Sequence, residues 1–113
     1  MDSDSNINPD KIIDTNTASK IHSNDEGIII DVRSTNEYTH RHIKNAISIP
    51  VDEIRSRITE LPSDKKIIFV CNSGNKTCTK AYQIVSDTGF DSNKLYKIDG
   101  GTNRWIQDGY PVE

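Results

Sequence analysis

Apolar residues in this chain come in short bursts divided by polar stretches. Ile12-Ile13, Ile28-Ile29-Ile30, Ile47 with Ile49, Ile67-Ile68-Phe69-Val70 and Leu95 to Ile98 stand out from sequence rich in Asn, Ser, Asp and Lys. Runs this short and this rich in β-branched side chains suit strands buried on both faces, as in parallel sheets. They predict strands at Ile12-Ile13, Ile28 to Val32, Ile47 to Ile49, Ile67 to Val70 and Leu95 to Ile98. Helix-like segments fall between them, near Thr17 to His22, Thr35 to His40, Asp52 to Glu60, Lys76 to Thr88 and Thr102 to Asp108. Strand alternating with helix five times over predicts an α/β fold: an open, mainly parallel five-stranded sheet with helices on both faces.

Local signals place some boundaries. Ser34 followed three residues later by Glu37 fits a capping box. Gly89 fits the position just past a helix end, where positive φ is needed. Pro62 breaks the chain after the third helix-like segment. Met1 to Asp10 carry almost nothing apolar and read as a flexible N-terminal arm, which leaves residues 11–113 as one domain.

Composition adds limits. Hydrophobic content is only 33%, so a core depends on the clustering just described. Net charge is −3, from 14 basic and 17 acidic residues mixed along the chain, which offers no footprint for nucleic acid or an anionic membrane surface. No stretch approaches the length of a spanning helix or a signal-peptide core, so a cytoplasmic location is the default expectation. The two cysteines do not make a disulfide framework. No Cys-x-x-Cys pair exists and the three histidines lie far off in sequence, so neither a metal nor another cofactor is expected.

The most unusual chemistry lies in the loop Cys71-Asn72-Ser73-Gly74-Asn75-Lys76-Thr77, after the most apolar strand and at the opening of a helix. Parallel sheets bind ligands at the carboxyl ends of their strands. A cysteine there meets unpaired backbone N–H groups and the positive end of a helix dipole, which suits an anion and favours the thiolate. Gly74 permits a tight curl and Lys76 adds a positive charge. By position alone, Cys71 could equally be a small buried residue finishing a strand.

Further segments tip that balance. They are Ile30-Asp31-Val32-Arg33 with Glu37-Tyr38, then His42-Ile43-Lys44-Asn45-Ala46-Ile47-Ser48-Ile49-Pro50, the Cys71 loop, and finally Asp99-Gly100-Gly101, Trp105, Gly109 and Pro111-Val112. In this order and spacing the chain resembles the single-domain rhodanese (thiosulfate sulfurtransferase) family from about Lys11 to Val112. The resemblance implies the rhodanese-like form of the fold above, and a catalytic Cys71 that takes sulfur from thiosulfate or a similar donor as a persulfide. Asn72, Ser73, Gly74, Asn75, Lys76 and Thr77 would bind the substrate. The acceptor would be a thiol or cyanide, with a thioredoxin-like or other sulfur-accepting protein as a further candidate. Lys76 stands where many relatives carry arginine, so bidentate capture of an oxyanion is not expected. Arg41 and Asn45 stand where relatives often have glycine, and asparagine tolerates left-handed backbone better than arginine does.

Other residues read more plainly. Cys78 shares a rough helix face with Ala81, Ile84 and Val85 and is expected to pack against the sheet, the other reading being a resolving thiol for Cys71. Asp31 is expected to bond backbone amides, and Arg33 to pair with Glu37. His42 is expected to hold its turn by a side-chain hydrogen bond, His22 and His40 to be solvated, and Trp105 with Tyr110 to pack the last helix. Two rivals remain. A binding or redox-sensing module on the same fold is one. A cysteine phosphatase or arsenate reductase is the other, but it would need Cys-x5-Arg where this chain has Thr77.

Overall fold

The computed structural model describes residues 11–73 and 76–113, so the arm expected at Met1 to Asp10 lies outside the described residues. Five strands, β1 (Ile12–Ile13), β2 (Gly27–Asp31), β3 (Ile47–Ser48), β4 (Lys66–Val70) and β5 (Leu95–Ile98), form one sheet in the order β1-β5-β4-β2-β3. Every pairing in it is parallel. Four helices, α1 (Thr15–Ser23), α2 (Thr35–His40), α3 (Lys76–Asp87) and α4 (Gly101–Gln107), alternate with the strands.

The two-residue period of β4 divides the core into two layers. Ile67, Phe69 and Cys71 point to one face, where Cys78, Ala81 and Val85 of α3 cover them. Ile68 and Val70 point to the other, against Ala18 and Ile21 of α1 and Trp105 of α4. Ile67, Ile68, Phe69 and Val70 are all fully buried, each contributing on the order of 2 kcal/mol of apolar transfer. This double coverage is why the strand reads as an unbroken apolar run.

Differences from the sequence reading have local causes. Helix α1 begins at Thr15, because Asp14 caps it by accepting the Thr17 N–H at 2.7 Å. The helix expected at Asp52 to Glu60 is instead a pair of 3₁₀ turns, Val51–Glu53 and Ile58–Glu60. Most bonds there span three residues, such as Glu60 N–H to Arg57 C=O and Leu61 N–H to Ile58 C=O. Apolar residues three and four apart suit such turns as well as an α-helix over so short a stretch. Asn45 does take the left-handed region, at φ 66°, whereas Arg41 is extended at φ −166° and carries no strain. The Ser34–Glu37 capping box forms, and Gly89 ends α3 with φ 100°.

Candidate active site

Cys71 follows β4 directly, at the carboxyl end of the central strand, and α3 starts five residues later at Lys76. Cys78 is therefore the third residue of α3, as the expected helix start at Lys76 implies, and its side chain meets the strand end. Its Sγ lies 3.2 Å from Cys71 Sγ and donates a hydrogen bond to it. Neither sulfur is in a disulfide, and both cysteines are buried. The Cys78 S–H, helped by the backbone N–H groups of Cys78 and Asn72, holds the Cys71 thiol down to about 7, against the opposing effects of burial and Asp31. Cys78 shifts the opposite way: the neighbouring Cys71 sulfur and burial both push its thiol up. The pair thus divides its roles, with Cys71 the thiolate and Cys78 the donor.

A polar clamp holds the loop to the neighbouring strand. Asp31 ends β2, and the Arg33 guanidinium forks onto its carboxylate, Nε to Oδ1 at 3.0 Å and Nη2 to Oδ2 at 2.8 Å. Arg33 Nη1 donates to Asn72 Oδ1 at 3.2 Å and Nη2 to the Arg41 carbonyl at 2.7 Å. Asn72 Nδ2 in turn donates to Glu37 Oε2 at 2.7 Å, which keeps that carboxyl below its usual range. The expected Arg33–Glu37 pair is thus replaced by Arg33–Asp31. Glu37 is already engaged by Ser34 and Asn72, while Asp31, fully buried, requires a partner. Asp31 does bond a backbone amide as expected, that of Arg33.

The underside of the loop rests on α4. The Thr102 and Asn103 N–H groups donate to the carbonyls of Cys71 and Asn72 at 2.7 and 2.9 Å. Gly101 makes this approach possible: a Cβ there would sit 2.5 Å from the Cys71 carbonyl oxygen, and its φ is +60°. The sequence motif Asp99-Gly100-Gly101 announces a turn. It does not announce that the turn lies beneath Cys71.

A cavity of about 320 Å³ opens over the cysteine, lined by Cys71, Asn72, Ser73, Lys76 and Thr77 with Arg33 and Glu37. Five of the expected site residues therefore meet here, while Gly74 and Asn75 lie outside the described residues. A larger cleft of about 640 Å³ adjoins it across Arg33 and Glu37, floored by Thr102 and Asn103. Further off, His42 bridges the Tyr38 carbonyl and the Glu113 carboxylate, as expected of a turn-holding residue. Trp105 packs on Tyr110, ring centroids 4.9 Å apart. His40 is exposed, but His22 is half-buried, and that burial pulls its imidazole pKa down, contrary to the solvated reading. Among the described residues no helix is long and apolar enough to cross a membrane, and no group of His, Cys, Asp or Glu is placed to hold a metal ion.

Comparison with known proteins matches the Rhodanese-like domain family over residues 9–108. The chain is similar to a tRNA uridine(34) hydroxylase of Enterobacter sp. (strain 638), 34% identical over 97 residues, covering 77% of this chain and 27% of that protein. It is also similar to an HTH-type transcriptional regulator of Mycobacterium tuberculosis, 33% identical over 89 residues, covering 78% of this chain and 38% of the regulator. The chain thus spans well under half of each curated relative. Among solved structures, a rhodanese-related protein from Thermoplasma volcanium superposes with a TM-score of 0.78 at 29% identity, covering 91% of this chain and 97% of that one.

Proposed function

The chain belongs to the rhodanese-like domain family, and on that premise we propose that it moves sulfane sulfur from thiosulfate or a similar donor to a thiol or cyanide through a persulfide on Cys71. The observation that carries the proposal is the Cys71 thiol, held down to about 7 at the base of an open cavity. A thiol so placed is substantially thiolate at neutral pH, and the thiolate is the nucleophile.

In the first transfer the Cys71 thiolate attacks the outer sulfur of thiosulfate, the S–S bond breaks, and sulfite leaves with the bonding electron pair. The negative charge then sits on the terminal sulfur of Cys71–S–S⁻, inside the cavity. The backbone N–H groups of Asn72 and Cys78, which favour negative charge on the Cys71 sulfur, and Lys76, which lines the cavity, supply the opposing field. In the second transfer an acceptor thiolate or cyanide takes the terminal sulfur, and Cys71 is restored as thiolate. Asn72 serves as a positioning residue, since both ends of its side chain are spent on Arg33 and Glu37. The phosphatase alternative is disfavoured by Thr77, which stands where that chemistry needs a forked arginine.

Steady-state assays with thiosulfate and cyanide test the reading. With cyanide in excess, sulfite and thiocyanate should form in equal amounts, with the parallel double-reciprocal lines of a two-step transfer. Cys71→Ser should be inactive. Comparable turnover by that variant would overturn the proposal.

A further inference from the structure

Packing alone accounts for a small side chain at position 78, since Cys78 is wholly buried with Ala81 and Val85 on the sheet-facing side of α3. It does not account for where the sulfur points. The Sγ is turned onto the one atom of the sheet that carries the chemistry, at 3.2 Å. Lys97 of β5 is also buried, its Nζ held by Thr79 Oγ1 at 3.2 Å and lying 5.4 Å from the centre of the Tyr82 ring. That interior ammonium is a lesser, opposing influence on Cys78, whose thiol Cys71 and burial hold up while Cys71 carries the charge. A buried thiol held 3.2 Å from the reactive sulfur is placed to become a second nucleophile once the charge on Cys71 has moved out to a terminal sulfur.

We propose that Cys78 is a resolving thiol which discharges the Cys71 persulfide as hydrosulfide, giving the protein a sulfide-releasing activity. The inference rests on the persulfide reading above. Once Cys71 holds Cys71–S–S⁻, its Sγ is the inner, electrophilic sulfur, and it remains the atom that Cys78 faces. Cys78 Sγ attacks it and a Cys71–Cys78 bond forms. The bond to the terminal sulfur breaks, and that sulfur leaves with the electron pair. The proton of the Cys78 thiol passes to it, so the departing species is HS⁻. In this step the terminal sulfur is reduced and the Cys78 sulfur oxidised, the Cys71 sulfur having been oxidised when the persulfide formed, so no outside oxidant enters. A dithiol reductant, small or protein-borne, then reopens the disulfide by thiol–disulfide exchange and completes the cycle. Over a full turn, thiosulfate and a dithiol become sulfite, hydrosulfide and a disulfide. The pre-set contact makes this step intramolecular, so it competes with any external acceptor that must first diffuse in.

The test uses the reduced wild-type protein, freed of small thiols, mixed with thiosulfate alone. Sulfite and hydrosulfide are measured, and the protein is mapped by peptide mass spectrometry under conditions that preserve disulfides. The expected result is equal amounts of both products and a peptide joining Cys71 to Cys78 within one chain. Sulfite with no hydrosulfide, and a lasting persulfide on Cys71, would overturn the resolving role while leaving the sulfur-transfer reading intact. A disulfide joining two chains would do the same. Absence of sulfite would remove both. Cys78→Ser, loaded at a pH above the ordinary thiol range so that Cys71 ionises unaided, should hold its persulfide and release no hydrosulfide until a thiol is added. Accumulation of that persulfide also shows that the variant has folded, and hydrosulfide release equal to wild type would contradict the proposal.

Discussion

The Thr102 N–H donates to the Cys71 carbonyl at 2.7 Å, which ties the last helix to the residue that carries the chemistry. The bond requires α4 to approach the loop more closely than any side chain at Gly101 permits. Gly101→Ala forces a methyl group against two backbone carbonyls in a left-handed conformation, at a cost of roughly 3 kcal/mol. Urea unfolding should show that loss as a lower midpoint, and sulfur transfer should fall with it. A variant as stable and active as wild type would show that α4 does not support the loop.

Removing the Arg33 guanidinium leaves the Asp31 carboxylate buried without its ionic partner and cuts the loop from β2. Arg33→Ala should therefore cost about 3–5 kcal/mol, far more than an exposed pair at the surface. Chemical denaturation measures it directly, and a change below about 1 kcal/mol would mean the pair is solvated in solution.

Much of this architecture is readable locally, because β-branched bursts mark buried strands and the Ser34–Glu37 box marks a helix start. The Cys71 loop is legible for the same reason: its residues are contiguous. What escapes is whatever depends on strand pairing. Asp31 lies beside Val70 in the register of β2 on β4, and this alone brings Arg33 to Asn72. Likewise Gly101 reaches Cys71 only because β5 lies next to β4. Cys78 escapes differently. Its helical face and the helix start at Lys76 are both predicted correctly, but the seating of α3 over the end of β4 decides which atom its sulfur meets. The 3₁₀ turns after Pro50 were hidden by apolar spacing that serves either kind of helix.

The pH dependence of Cys71 reactivity follows from its neighbour. Only the thiolate reacts with iodoacetamide, so the alkylation rate should rise with pH and reach half its maximum at about 7. Cys78→Ala removes the main group stabilising that thiolate, so the midpoint should move upward, toward the ordinary thiol range. Peptide mapping assigns the label to Cys71. A midpoint that stays put in the variant would show that the backbone amides alone stabilise the thiolate.

Whether Cys71 accepts a sulfur atom is read from a single-turnover sulfite burst. Reduced protein is mixed with thiosulfate without any acceptor, sulfite is counted against protein chains, and samples quenched early are mapped by mass. The wild type should release one sulfite per chain whatever later becomes of the sulfur, with the mass of one sulfur atom added to the Cys71 peptide at the earliest times. Cys71→Ser should show neither. No burst from the wild type, or an equal burst from the serine variant, would contradict sulfur transfer to Cys71.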